Sequence, residues 1–323
     1  MLRSIEICAG AGGQALGLER AGFEHILLVE HDPHACKTLR LNRPNWNVVE
    51  SDVCTVEWEH HNGVDLFAGG VPCPPFSKAG KQEGADDDRD LLDYAVEIGI
   101  KLDSKCILIE NVRGLMDNKF REYRSSIVHR LVESGYGVHW KILNSSDYGV
   151  PQLRPRSILV ALKNEFSPFF KWPDVIEEQI FVGDVLHDLM SEYGWPGADD
   201  WRQKAQKIAP TLVGGSKKHG GPDLGPTRAK KEWLSLGVNG TNVMDTGPAK
   251  DFTGKEGMEG LPYLSIRMTA RIQGFPDEWQ FHGKKTNSYR QIGNAFPPPV
   301  SEAIGRCIAN ALLKANSELE IID

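Results

Sequence analysis

The chain has 323 residues, of which 40% are hydrophobic and 25% are charged, a composition typical of a globular protein with an apolar core. No apolar run approaches the roughly 20 residues that a membrane-spanning helix needs. The first residues, MLRSIEICAGAGG, lack the pattern of a secretory signal. We therefore expect a cytoplasmic protein that does not bind a membrane. The net charge is −7, so binding of a nucleic acid would require a local cluster of positive charge.

The six cysteines contain no C-x-x-C pair, so the sequence predicts neither a disulfide framework nor a metal site. Most of these side chains are expected in the core as small apolar groups.

Strand-like and helix-like segments alternate through the first half of the chain. Residues 4–9 predict a strand, 14–23 a helix and 25–30 a second strand, with a glycine-rich turn after the first. This alternation favours an α/β fold with a doubly wound, mostly parallel sheet. Further strands are predicted at 48–50, 64–68, 106–110 and 157–162, and further helices at 90–103, 120–134 and 299–315.

The glycine-rich turn, CAGAGGQA, resembles a nucleotide-binding turn. Gly10, Gly12 and Ala15 fit the loose G-x-G-x-x-G/A pattern, and Glu30 ends the second strand, where a carboxylate can accept hydrogen bonds from ribose hydroxyls. Asp52 follows the next strand and could meet an adenine amino group. A nicotinamide cofactor, S-adenosylmethionine and a purely structural turn all remain compatible with this pattern.

The stretch LFAGGVPCPPFSKAGK holds Cys73 between Pro72 and the pair Pro74 and Pro75. Prolines restrict the backbone, and catalysis gains when a nucleophile is already placed. Nicotinamide chemistry has no use for such a thiol. The alternative is a buried cysteine that only packs.

Two polar clusters follow. Glu110 ends the strand candidate ILIE, and its carboxyl group could exchange a proton with a ring nitrogen; the alternative is a strand-end acid paired with Arg113. Gln152, Arg154 and Arg156 alternate before another strand, which would direct all three side chains to one face. Their alternative is a solvated strand edge.

Together these motifs closely resemble the C5-cytosine-specific DNA methyltransferase family of bacterial restriction-modification systems. In the family's order the chain contains EICAGAGG, GGVPCPPFS, ENVRG, QLRPRS, ARIQGFPDEW and YRQIGNAFPPPV. The resemblance implies the S-adenosylmethionine-dependent methyltransferase fold, double-stranded DNA as substrate and a monomer. It also allows a partner restriction endonuclease that acts on the same site.

The resemblance also implies a mechanism. The target cytosine leaves the helix stack, because its ring atoms cannot be reached inside the duplex. Cys73 attacks C6, Glu110 contacts N3 and the amino edge, and Arg156 with Arg154 holds the carbonyl oxygen. C5 then takes the methyl group of S-adenosyl-L-methionine, which leaves S-adenosyl-L-homocysteine, and loss of the C5 proton expels the thiol. No metal is required.

The same matching implies a set of cofactor-binding residues, with two departures from the family pattern. Cys8 stands where phenylalanine is usual, and His31 stands where a bulkier aromatic residue is frequent. The stretch 85–90 is unusually acidic for a segment expected to close over DNA. The implied cofactor set is Cys8, Gly10, Gly12, Glu30, His31, Asp52, Val53, Gly70, Pro72, Leu92 and Asn294.

The family organisation implies four segments: a catalytic and cofactor-binding domain (1–172), a smaller loop-rich target-recognition domain (173–265), a hinge and return segment (266–290), and a C-terminal segment that completes the catalytic domain (291–323). Clustered cations in the second segment predict contact with DNA phosphates; the alternative is a solvated basic loop. The predicted DNA-binding residues are Gln152, Thr211, Lys217, Lys218, His219, Arg228, Lys230 and Lys231.

Three other functions compete with this interpretation. A nicotinamide-dependent oxidoreductase would leave Cys73, Glu110 and the arginines unused. A DNA-binding relative without activity is disfavoured because Cys73 and Glu110 are both present. An RNA (tRNA) cytosine-5 methyltransferase of the same family shares the chemistry, but the long variable region rich in glycine and lysine favours duplex DNA.

Overall fold

A seven-stranded sheet organises the parts of the chain that this computed structural model describes, which are residues 1–72, 90–215 and 221–319, with side chains as far as residue 315. The strand order is β3-β2-β1-β4-β5-β7-β6. The strands are β1 (Leu2–Ile7), β2 (Phe23–Glu30), β3 (Val48–Glu50), β4 (Leu66–Gly70), β5 (Cys106–Val112), β6 (Tyr136–Asn144) and β7 (Pro155–Lys163). The first five strands pair in parallel, whereas β7 runs antiparallel to both β5 and β6. The predicted doubly wound, mostly parallel sheet is confirmed.

Helices cover the sheet and form most of the regular structure after residue 172. They are α1 (Gly13–Arg20), α2 (Pro33–Asn42), α3 (Leu91–Lys101), α4 (Arg121–Glu133), α5 (Val182–Ser191), α6 (Ala198–Lys204), α7 (Thr227–Ser235), α8 (Ile266–Ile272), α9 (Lys285–Asn294) and α10 (Pro298–Leu319). Four two-residue strands, β8 (Val243–Met244), β9 (Gly254–Lys255), β10 (Met258–Glu259) and β11 (Leu264–Ser265), pair only with one another. No described helix is both long and apolar enough to cross a membrane.

Local sequence explains where several helices begin. The side chain of Asp32 accepts hydrogen bonds from the backbone N–H groups of His34 and Ala35, and Pro33 supplies the first residue of α2. Asp90 caps α3 in the same way, by accepting from Asp93. Such caps satisfy N–H groups that have no partner inside the helix.

The alternation of side chains along the strands builds a separate core on each face of the sheet. On one face, Ile5, Phe67 and Ile107 pack with the apolar side of α3 and α4. On the other face, Leu66 and Leu108 pack with α1 and α10. The C-terminal helix therefore stabilises the same domain as the N-terminal strands.

A third apolar cluster lies almost entirely within residues 182–295, with Leu16 as its member from α1. Trp201 and Trp233 are both buried in it. These two aromatic rings anchor the smaller part of the molecule and are not available to stack on bases. This cluster extends past residue 265 and includes Leu16, so the division into four segments stays a prediction.

Gly17 marks the closest approach of α1 to α10. A Cβ on Gly17 would lie 2.4 Å from the carbonyl oxygen of Pro298 and 2.6 Å from Cβ of Ser301. Only a residue without a side chain lets these two helices pack at this distance.

We expect Gly17→Ala to destabilise the protein by about 2 kcal/mol, because the clash with backbone outweighs the gain of about 1 kcal/mol in helix propensity. Urea unfolding measures the difference. Gly221→Ala is the matched control, since no atom of the described residues beyond its chain neighbours lies within 4 Å of its added Cβ. Equal free energies of unfolding for the Gly17 variant and the wild type would contradict the packing described here.

Candidate active site

The candidate site lies along the carboxyl edge of the parallel strands, where side chains from successive strand ends meet. Cys8 follows β1, Glu30 ends β2, Asp52 follows β3, Gly70 ends β4 and Glu110 lies near the end of β5. The parallel pairing brings these five positions, which are up to about 100 residues apart in the chain, to one edge of one sheet.

Glu30 organises the first part of this edge. Its Oε2 accepts a hydrogen bond from the Gly10 N–H at 2.7 Å, and its Oε1 accepts from the N–H groups of His31 and Asp32 at 2.9 and 2.7 Å. Burial would raise the pKa of Glu30, but the hydrogen bonds from His31, Asp32 and Gly10 outweigh it and lower the pKa. Glu30 therefore stays a carboxylate at neutral pH and is fixed against the glycine turn.

The glycine turn leaves an open cradle beside this carboxylate. Gly10 has a φ of 54°, and the nearest atom to a Cβ placed on it is the carbonyl oxygen of Cys8 at 4.0 Å. Gly12 instead faces the protein, with Leu39 Cδ2 2.7 Å from its Cβ position. The open side at Gly10 and the fixed carboxylate of Glu30 fit a ligand with ribose hydroxyls, as a nucleoside-type cofactor has.

The remaining predicted cofactor residues differ in exposure. Asp52 is exposed and accepts a hydrogen bond from the Cys54 N–H at 2.9 Å, while Val53 beside it is buried. Burial, reinforced by the charge of Glu30, raises the pKa of Cys8 to about 12, so its thiol stays neutral. His31 keeps most of its side chain exposed and lies 3.2 Å from Glu30.

The other four predicted cofactor residues are Gly70 at the end of β4, Pro72 two residues later, Leu92 in the first turn of α3 and Asn294 at the end of α9. Gly70 is half-buried and Pro72 is exposed, whereas Leu92 is fully buried in the core cluster that also holds Val71. Asn294 is exposed and donates a hydrogen bond to the carbonyl oxygen of Gly215 at 3.2 Å. Their part in cofactor binding stays a prediction.

A buried ion pair occupies the end of β5. The Nε of Arg156 lies 2.8 Å from Oε1 of Glu110, and the two side chains are only 14% and 11% exposed. The antiparallel pairing of β5 with β7 sets their spacing, because Val112 lies opposite Arg156 and Glu110 opposite Ile158. The sequence alternative that pairs Glu110 with Arg113 is wrong, since the partner comes from the neighbouring strand.

Asn111 connects this ion pair to the segment that leads to Cys73. Its Nδ2 donates to the carbonyl oxygen of Val71 at 3.1 Å, and its Oδ1 accepts from the N–H of Val112 at 2.8 Å. The end of β5 is thereby tied to the residue before Pro72. The ENV motif contained this residue, but its spacing alone gave no sign of a bond to the next strand. Cys73 itself lies outside the described residues, as does the acidic stretch up to residue 89.

The expectation that Gln152, Arg154 and Arg156 share one face needs correction for the first two. Arg154 is 1% exposed, and its guanidinium donates to the carbonyl oxygens of Leu212, Gly293 and Ala295 at 2.9, 2.9 and 3.0 Å.

Gln152 is fully buried: its Nε2 donates to Gln273 at 2.8 Å and its Oε1 accepts from the Leu212 N–H at 2.9 Å. Both residues precede β7, which begins at Pro155, so strand alternation does not govern them. Neither Gln152 as a DNA contact nor Arg154 as a substrate contact fits these bonds. Both side chains instead hold three distant segments together.

The predicted DNA-binding residues have been placed only in part. Lys217, Lys218 and His219 lie outside the described residues. Thr211 donates to the carbonyl oxygen of Leu153 at 2.6 Å. On α7, Lys230 pairs with Asp223 at 3.0 Å and Arg228 with Glu232 at 3.2 Å, while Lys231 is exposed and makes no ion pair with any described residue. Arg228 is 92% exposed in spite of its partner.

Residues 2–310 match the family described as C-5 cytosine-specific DNA methylase. Type II methyltransferase M.NgoMIV of Neisseria gonorrhoeae is 56% identical over 97% of this chain and 99% of its own length. Type II methyltransferase M.NaeI of Lentzea aerocolonigenes is 54% identical over 96% of this chain and 75% of its own length.

A DNA modification methyltransferase from an E. coli prophage has the same fold, with a TM-score of 0.66 and 23% identity over 97% of this chain and 100% of that one. The fold and the family match together define a methyltransferase. The chain belongs to the C-5 cytosine-specific DNA methylase family, as its motifs predicted, and is a DNA (cytosine-5) methyltransferase.

The two arginines should separate in a stability test. We expect Arg154→Met to lower the free energy of unfolding by about 3 kcal/mol, because three buried carbonyl oxygens lose their donor. Arg156→Met should lower the methyl-transfer rate by at least about a hundredfold, since electrostatic contacts at reacting groups have effects of that size. Chemical unfolding and single-turnover methylation measure the two effects. A large loss of rate in a fully stable Arg154 variant would contradict the structural role assigned to Arg154.

Proposed function

We propose that this enzyme transfers a methyl group from S-adenosylmethionine to C5 of a cytosine that is turned out of a specific site in double-stranded DNA. The observation that carries the proposal is the buried Glu110–Arg156 pair at the carboxyl edge of the sheet, linked through Asn111 to the residue that precedes Pro72 and Cys73. A cytosine ring presents a ring nitrogen, an amine and a carbonyl oxygen, and Glu110 and Arg156 together offer groups for each of them.

The ion pair explains how one carboxyl group is held ready for a base. Arg156 occupies Oε1 of Glu110, so Oε2 is left for the N3 and amino edge of cytosine. The remaining N–H groups of Arg156 can donate to the cytosine carbonyl; one of them contacts the carbonyl oxygen of its neighbour Pro155 at 2.9 Å. Little solvent reaches the pair, which strengthens its electrostatic effect on the ring.

Cys73 is the proposed nucleophile. Its thiolate attacks C6, electron density passes to the ring and is stabilised by Glu110 and Arg156, and C5 becomes nucleophilic. After C5 has gained the methyl group, removal of its proton releases the thiol. The base must leave the duplex first, because C6 is not accessible in the stack.

The methyl group is supplied by the sulfonium of S-adenosylmethionine. Glu30 would accept from its ribose hydroxyls, with Asp52 and Val53 beside the adenine and the open turn at Gly10 beside the amino-acid part. Gly70, Pro72, Leu92 and Asn294 are proposed for the remaining contacts. These groups bind and orient, and none of them needs to change protonation during the transfer.

The names of the two curated relatives support a type II system, in which a monomeric methyltransferase protects the site that a partner endonuclease cuts. The segment 173–265, which contributes most residues of the third apolar cluster, is proposed to select the DNA sequence. An enzyme of this kind acts on the chromosome in the cytoplasm.

Exposed cations on α7 are proposed to contact phosphates. Replacing Arg228 and Lys231 together by alanine should weaken binding to all sequences and reduce the slope of log K against log salt by about 1 to 2. Fluorescence titration at several salt concentrations measures the slope. Lys101→Ala is the matched control, since Lys101 ends α3 at the opposite edge of the sheet. An unchanged slope in the double variant would remove α7 from the DNA interface.

Bisulfite sequencing of DNA from cells that express the enzyme tests the function directly, because it reports activity, sequence and position at once. Cys73→Ser should abolish the modification, while calorimetry should still detect binding of S-adenosylhomocysteine to this variant.

Glu110→Gln should lower the methyl-transfer rate by at least about a hundredfold with a small loss of DNA affinity. Transfer of a labelled methyl group to tRNA but not to DNA would contradict the proposal that DNA is the substrate. Undiminished turnover by the Cys73→Ser variant would contradict the assignment of Cys73 as the nucleophile.

A further inference from the structure

Gln14 is a buried polar side chain that the mechanism above does not use. It lies in the first turn of α1 and is 3% exposed. Neither its Oε1 nor its Nε2 makes a hydrogen bond with any described residue. A buried amide without partners is unfavourable, so a side chain of this kind points to a partner that binds later.

The environment of Gln14 is the end of β4 beside Glu110. Gly70 pairs with Glu110 in the parallel register of β4 and β5, so both side-chain positions lie on the same face of the sheet. A Cβ placed on Gly70 would lie 3.4 Å from Oε2 of Glu110 and 3.8 Å from Oε1 of Gln14. Apart from the chain neighbours of Gly70, these are the two heavy atoms of the described residues within 4 Å, and both are oxygens. The absent side chain of Gly70 therefore leaves a space between two hydrogen-bond acceptors.

The printed contact of Arg156 with Glu110 joins Nε to Oε1, whereas Oε2 is the carboxylate oxygen on the Gly70 side. Gly70 needs no special backbone conformation, because its φ lies outside the left-handed region. The requirement for glycine at this position is thus one of space. Gly70 is also half-buried, so a ligand can reach the space from the open edge of the sheet.

We propose that Gln14 Oε1 and Glu110 Oε2 together accept hydrogen bonds from an amine nitrogen placed in the space that Gly70 leaves open. This inference rests on the proposed function and adds Gln14 and the missing Cβ of Gly70 to it. An amine is the matching group because it offers at least two N–H donors to two acceptors. Two reactants supply one: the exocyclic amine of the target cytosine and the α-ammonium of S-adenosylmethionine.

Gln14→Met tests the proposal, because it keeps the length of the side chain and removes both polar atoms. In one arm, calorimetry compares S-adenosylhomocysteine with its analogue that lacks the α-amine. In the other arm, affinity is compared for a duplex with cytosine at the modified position and a duplex with 2-pyrimidinone there, which lacks the exocyclic amine. One of the two arms contains the amine that Gln14 binds. In that arm, we expect Gln14→Met to lower the affinity for the ligand with the amine about tenfold and the affinity for the ligand without it less than about twofold.

The arm that responds identifies the source of the amine. Gly70→Ala is the second variant, since its methyl group fills the space while Gln14 stays intact, and it should give the same selective loss. Thermal unfolding reports whether each variant is folded. Equal losses with and without the amine in both arms, or no loss in either arm, would overturn the proposal. Failure of the wild type to methylate DNA would overturn the proposed function instead, and the S-adenosylhomocysteine arm would still report on Gln14.

Discussion

The ion pair between Glu110 and Arg156 is the constraint on which the rest of the site depends. Two charges that are almost removed from solvent are costly unless their geometry is well fixed. Here the antiparallel register of β5 and β7 fixes it, and Asn111 extends that order to the strand end before Pro72. The reversed direction of β7 lets an arginine at the start of one strand face a carboxylate at the end of another.

The polar network beneath this pair joins segments that are far apart in the chain. Arg154, directly before β7, donates to the carbonyl oxygens of Leu212 and of Gly293 and Ala295 at the end of α9. Gln152 bonds to Leu212 and to Gln273, and Gln273 in turn donates to the carbonyl oxygen of Ala295. These hydrogen bonds therefore join the start of β7, the strand that carries Arg156, to two other segments. One is the segment proposed to read DNA, and the other is the C-terminal segment predicted to complete the catalytic domain.

Much of the sheet could be predicted from sequence, because β1 to β5 and β7 contain short apolar runs, and β2, β3 and β4 end in an acid or glycine. β6 was not predicted: it lies at the edge of the sheet, and most of its residues are half-buried, so its apolar pattern is weak. Five helices after residue 172, α5 to α9, were also not predicted, because glycine, proline and charged residues within and between them hid their amphipathic faces.

The site itself was predictable where a motif fixes the role of a residue, and not where packing decides it. Glu30 and Glu110 lie at strand ends, as alternation and length suggested. Gln152 and Arg154 could not be placed, since nothing in a run of alternating polar residues tells which side chains a distant loop will cover. The sequence did not indicate a role for Gln14. Its proposed role depends on a buried amide that makes no hydrogen bond with any described residue, which only the folded structure reveals.

The central claim is that Cys73 bonds to the cytosine that Glu110 and Arg156 hold. A duplex that carries 5-fluorocytosine at the modified position tests it, because fluorine at C5 prevents the final elimination and traps the intermediate. With S-adenosylmethionine present, mass spectrometry should find the methylated fluorocytosine nucleotide on the peptide that contains residue 73. Methylation of ordinary DNA by an enzyme that forms no such adduct, or an adduct on another cysteine such as Cys8, would contradict the account.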